Sequence, residues 1–122
     1  VSAWTVAPVA LKVAGKNGPT DHIVAGWING PFGLDFRVFT DDVVGDATPG
    51  FMLTHLPTGF VVRALIAVGM KEAMALADEI LDSADWTSPA TPTPEQCAAV
   101  KMIMADYPGV VTSALRHLAP AA

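Results

Sequence analysis

The sequence predicts an α+β domain: an N-terminal antiparallel sheet of four to five strands, built from two hairpins, followed by two or three C-terminal helices packed on one face. Three observations carry the prediction. Up to residue 66 the chain alternates β-branched and aromatic runs with Gly, Pro and Asn turns, whereas from Met70 onward apolar residues recur at helical spacing. Residues 86–94 contain Pro89, Pro92 and Pro94 and read as a surface connection between two helices. A chain of 122 residues forms one domain, 1–122, around a single core.

Residues 4–13 are apolar and β-branched, with Pro8 demoting them to an edge or broken strand, and Gly15-Lys16-Asn17-Gly18-Pro19 supplies the turn that ends them. Residues 23–28 and 34–40 follow as strands joined by five residues, 29–33. A hairpin closed there faces Ile28 to Leu34, Gly26 to Phe36 and Val24 to Val38, leaving Ile23, Ala25, Trp27, Asp35, Arg37 and Phe39 on the other side. Residues 41–49 form a polar loop. Residues 51–56 and 60–66 make the clearest hairpin: Pro57 presets the first turn position and Gly59 takes the positive φ at the bulge, pairing Leu56 with Phe60, Thr54 with Val62 and Met52 with Ala64. The other face collects Phe51, Leu53, His55, Val61, Arg63 and Leu65. Both faces are mostly apolar, so something covers the second one, in this chain or another.

Residues 70–84 predict a helix whose stripe is Met70, Ala73, Met74, Ala77, Ile80, Leu81 and Ala84. Thr93, Pro94 and Gln96 then have the spacing of a capping box with proline at the first helical position. That helix runs to about Asp106 and buries Cys97, Val100, Ile103 and Met104. After Tyr107-Pro108-Gly109, residues 110–118 predict a last short helix with Val111, Ala114, Leu115 and Leu118 inward.

Composition narrows the function. With 52% hydrophobic and 16% charged residues the chain is no disordered spacer, although 20 of its hydrophobic residues are alanines, which add little burial. Seven Lys and Arg against twelve Asp and Glu, a net charge of -5, lack the electrostatic footprint of phosphate-backbone binding. Direct nucleic-acid binding is not expected. No segment reads as an export signal or membrane span; residues 59–70 are too short and carry Arg63. The lone Cys97 permits no internal disulfide, so a reducing cytoplasm is the expected setting.

The hairpin carries Thr54, His55, Pro57, Thr58 and Gly59, followed by Phe60, Val61, Val62 and a helix containing Ala73, Ala75 and Ala77. This Thr-His-x-Pro-Thr-Gly pattern resembles small uncharacterised proteins encoded by phages and prophages. The resemblance covers a quarter to a third of the chain and implies an accessory or host-takeover factor; it carries no catalytic residue over.

Few residues form a chemical constellation. His55 and Arg63 are diagonal neighbours on one face, where the pair can hold a carboxylate or phosphate, or His55 can simply bond a neighbouring backbone group. His22 and His117 stand at a strand start and a helix end. No His-x-x-x-His or Cys pair supplies a zinc site, and Gly15-Lys16 lacks the upstream Gly and the following Ser or Thr of a phosphate loop. No metal or cofactor is expected. Cys97 has ordinary core spacing. Asp41, Asp42 and Asp46 lack the closing Glu of a calcium loop. With Asp78, Glu79, Asp82 and Asp85 they form two acidic groups suited either to solubility or to meeting a basic partner surface.

The function expected is therefore a non-enzymatic protein–protein interaction module, a phage-derived, anti-CRISPR-like inhibitor of a bacterial defence system. It binds a basic surface of a host protein, such as a CRISPR–Cas component, through both acidic groups and an apolar face comprising Phe51, Leu53, His55, Arg63 and Leu65. The rivals are a homodimeric phage structural or accessory protein pairing through Phe51, Leu53, Val61 and Leu65, and a small enzyme using His55, Arg63 and Cys97.

Overall fold

The computed structural model describes residues 3–40, 47–66, 68–87 and 92–107. It is α+β: five strands, β1 (Thr5–Gly15), β2 (Gly18–Asn29), β3 (Phe32–Thr40), β4 (Ala47–His55) and β5 (Phe60–Ile66), precede the helices α1 (Met70–Asp82) and α2 (Pro94–Met104). The sheet is an antiparallel meander in the order β1-β2-β3-β4-β5. The expected last helix, with His117, and the loop acids Asp41, Asp42 and Asp46 lie outside the described residues. None of the described helices is long and apolar enough to cross a membrane.

Two hairpin registers differ from those expected. The first strand pairs along its whole length with a second that starts at Gly18, not Ile23, because Lys16-Asn17 closes a tight turn with Gly18 at φ 105°. The next turn is two residues, Gly30-Pro31, with Gly30 at φ 57°, and pairs Trp27 with Leu34 and Ile28 with Gly33. A five-residue loop is unnecessary because Gly supplies the positive φ and Pro the fixed one. The one-residue shift turns Trp27 onto the face of Leu34. In the β4–β5 hairpin Met52 does face Ala64 and Gly59 does take a positive φ, 75°, but a bulge at Leu53/Thr54 moves the turn-proximal pairs to Thr54 with Val61 and His55 with Phe60.

One face of the sheet is covered by helices, as expected. Phe32, Leu34, Phe51, Leu53 and Leu65 form its core with Ala73, Leu76, Ala77 and Ile80 of α1, Val100 and Met104 of α2, and Trp86 between the helices. Burying Leu76 and Ile80 contributes about 1.5–3 kcal/mol each. Of the predicted α1 stripe, Met70 is exposed and Leu76 takes a buried place instead. The capping box of α2 forms: Gln96 N–H donates to Thr93 Oγ1 (3.2 Å) and Thr93 N–H to Gln96 Oε1 (2.9 Å).

The second apolar face is covered by the sheet itself. Phe39, Met52, Ala64 and Ile66 cluster on it, and the β1–β2 ribbon rolls over its other end, beside Gly33 and Gly59. Val9 packs where a side chain on Gly26 or Gly33 would stand: a Cβ on Gly33 would lie 2.8 Å from Val9 Cγ1, and one on Gly26 2.9 Å from Val9 Cγ2 and inside the Leu34 carbonyl oxygen. Lys12 N–H donates to the Gly59 carbonyl (2.7 Å), fastening the ribbon to the β4–β5 turn. No second chain is needed to bury this side.

Candidate functional site

The β4–β5 hairpin, the segment around Trp86 and the first turns of α2 enclose a cavity of about 210 Å³. β4 ends at His55 and β5 carries Arg63, and the pairing of Leu53 with Arg63 and of His55 with Phe60 keeps both on the helix side, as alternation predicts. α2 adds Gln96, Cys97 and Val100 to the wall. The three residues considered for catalysis, His55, Arg63 and Cys97, thus line one cavity.

Their bonding separates them. His55 is 1% exposed, and both ring nitrogens are engaged. The Trp86 carbonyl only accepts, so His55 Nε2 carries the proton given to it (2.6 Å), leaving the Nδ1 lone pair toward Thr58 Oγ1 at 2.9 Å. The imidazole therefore anchors the chain between the helices to the end of β4. Trp86 is held further by its own Nε1–H to the Ile80 carbonyl (2.8 Å) and an edge-to-face contact with Phe32 at 5.1 Å. Gln96, buried where Cys97 was expected, donates to the Asp85 carbonyl (2.6 Å). Cys97 is exposed, because the capping box turns Gln96 inward and leaves its neighbour at the cavity rim. Arg63 differs: its Nε is sealed from solvent and has no hydrogen-bond partner among the described residues.

The expected partner-binding residues divide. Phe51, Leu53 and Leu65 are buried beneath α1, and His55 beneath Trp86, so these four side chains present no surface. Val61 stands partly exposed at the cavity. Among the helix acids, Asp78 accepts from Trp4 Nε1 (2.9 Å) and Asn29 Nδ2 (3.1 Å), tying the N-terminal segment and the β2–β3 turn to α1. Glu79 accepts from Tyr107 (2.9 Å), while Asp85 is held below the usual carboxylate range by the Thr87 hydroxyl and N–H. Glu79, Asp82 and Asp85 remain at the surface.

Sequence reasoning missed Thr58, Trp86 and Gln96 as the cavity's polar frame. Among the described residues no group of three or more His, Cys, Asp or Glu is placed to hold a metal. No protein-family model, curated protein or solved structure matches the chain.

Proposed function

We propose that the chain is a non-enzymatic protein–protein interaction module. The observation that carries this reading is a set of large apolar side chains left uncovered on the sheet: Val6 is 81% exposed, Ile23 74%, Phe36 55% and Val38 56%. Val6 and Ile23 lie on the outward side of the β1–β2 ribbon. Phe36 and Val38 continue the helix-covered face beyond the reach of the helices, with Phe36 edge-on to the core residue Phe51 at 5.7 Å. Exposed branched and aromatic residues on rigid strands fit a protein partner, which removes them from water.

The partner class follows from charge and the hairpin resemblance. The net charge of -5 favours a basic host surface, and the exposure of Glu79, Asp82 and Asp85 supports the reading. An anti-CRISPR-like inhibitor acting in the bacterial cytoplasm unites these features. The test is target cleavage by purified CRISPR effector complexes titrated with the protein. Inhibition that saturates stoichiometrically, weakens with salt and is lost in Phe36→Ser/Val38→Ser supports the reading. Full cleavage by every effector overturns the inhibitor assignment, and substoichiometric inactivation overturns the non-enzymatic one.

A further inference from the structure

The cavity beside the β4–β5 hairpin contains a charge without a counter-charge. Arg63 sits on the apolar side of the sheet, and its Nε is buried without an acceptor among the described residues. Leaving such a donor without an acceptor is unfavourable. The other polar groups do not relieve it. His55 is committed to Trp86 and Thr58, Gln96 to Asp85 and Thr93, and no carboxylate lines the cavity among the described residues. The bulge at Leu53/Thr54 lies directly before the Leu53–Arg63 pair, a position from which such irregularities re-aim a strand's side chains.

The remaining wall is apolar, with Phe60, Val62, Trp86 and Val100 among its lining. We propose that this cavity binds a small organic carboxylate with a compact apolar body, its carboxylate paired to the Arg63 guanidinium and its body against Val62, Trp86 and Val100. A planar carboxylate matches the guanidinium fork in charge and shape. Phosphate would bring a second negative charge, which a single Arg and apolar walls leave unsatisfied. The volume of about 210 Å³ suits a ligand of benzoate size, given that a cavity of about 150 Å³ holds benzene. Cys97 at the rim reports occupancy, because a bound ligand shields its thiol.

The experiment titrates the full chain with benzoate, benzamide and inorganic phosphate, following binding calorimetrically and Cys97 by its rate of alkylation with N-ethylmaleimide. Expected are saturable benzoate binding with slowed alkylation, benzamide weaker by at least about tenfold, the size of a lost charged hydrogen bond, and no protection by phosphate. Arg63→Met is expected to lose benzoate binding while keeping its thermal unfolding transition. If that variant does not fold, the contrast between benzoate and benzamide on the unaltered chain decides. Equal binding of the two, protection by phosphate equal to that by benzoate, or no saturable binding overturns the assignment.

Discussion

Each face of the sheet holds a buried cluster, but the two are closed by different means. On one, helices α1 and α2 lay an apolar stripe over Phe32, Leu34, Leu53 and Leu65, and the layers are locked by side chains, chiefly Trp86. On the other, the β1–β2 ribbon rolls onto the Gly33–Gly59 end of its own sheet, made possible by the missing side chains of Gly26 and Gly33. The first closure depends on what is present and the second on what is absent. Truncation should therefore break one face and addition the other.

Trp86→Ala is expected to have the largest effect, a loss of about 4 kcal/mol measured by urea unfolding, because it opens a void between Phe32 and His55. For a small domain whose whole stability is about 5–15 kcal/mol, that is severe. Gly26→Ala tests the other face. A single methyl there has to displace the Leu34 carbonyl and Val9, and a loss of about 3 kcal/mol is expected. If Gly26→Ala unfolds at the same urea concentration as the unaltered chain, the rolled sheet is wrong.

How much of this was legible follows the same division. The helix face was readable because its signals are local: Ala73, Ala77 and Ile80 recur along one helix, and Thr93, Pro94 and Gln96 lie within four residues. The roll was not, since Gly26 and Gly33 read as ordinary turn or strand glycines until Val9 is seen against them. The β2–β3 register turned on whether Gly30-Pro31 closes the turn alone, and one residue of error reversed the facing of Trp27. For the cavity, alternation along β4 and β5 put His55 and Arg63 on one side, but their different bonding depends on where Trp86 arrives, 31 residues after His55. A helical stripe gave Cys97 to the core. The third residue of the capping box, Gln96, took that place because its amide could be fully bonded there.

Smaller effects sharpen the comparison. Thr54 is buried on the rolled side with its Oγ1 unbonded among the described residues, so Thr54→Val is expected to be neutral or stabilising by up to about 1 kcal/mol, read as a raised unfolding midpoint. The smallest effect is confined to alkaline pH. Glu79 accepts the Tyr107 hydroxyl's hydrogen bond and repels the phenolate, so the folded phenol titrates above the ordinary tyrosine range. Its stabilising contribution is complete below the unfolded value, about pH 10, and is lost as pH rises through the higher folded one. A thermal-unfolding series from about pH 8 to 11.5 should show this decline in the native chain, reduced in Tyr107→Phe.

The unbroken strand order also bears on how the molecule is assembled in time. Each ladder joins neighbours in sequence, so four hairpin closures involve short loops and form early. The Lys12–Gly59 bond spans most of the sheet's length in sequence and closes a far longer loop. Docking of the ribbon is thus a late event, and until it happens Gly33 and Gly59 lack the cover of Val9 and Lys12. The interval between hairpin formation and ribbon docking is when this chain is most prone to aggregate.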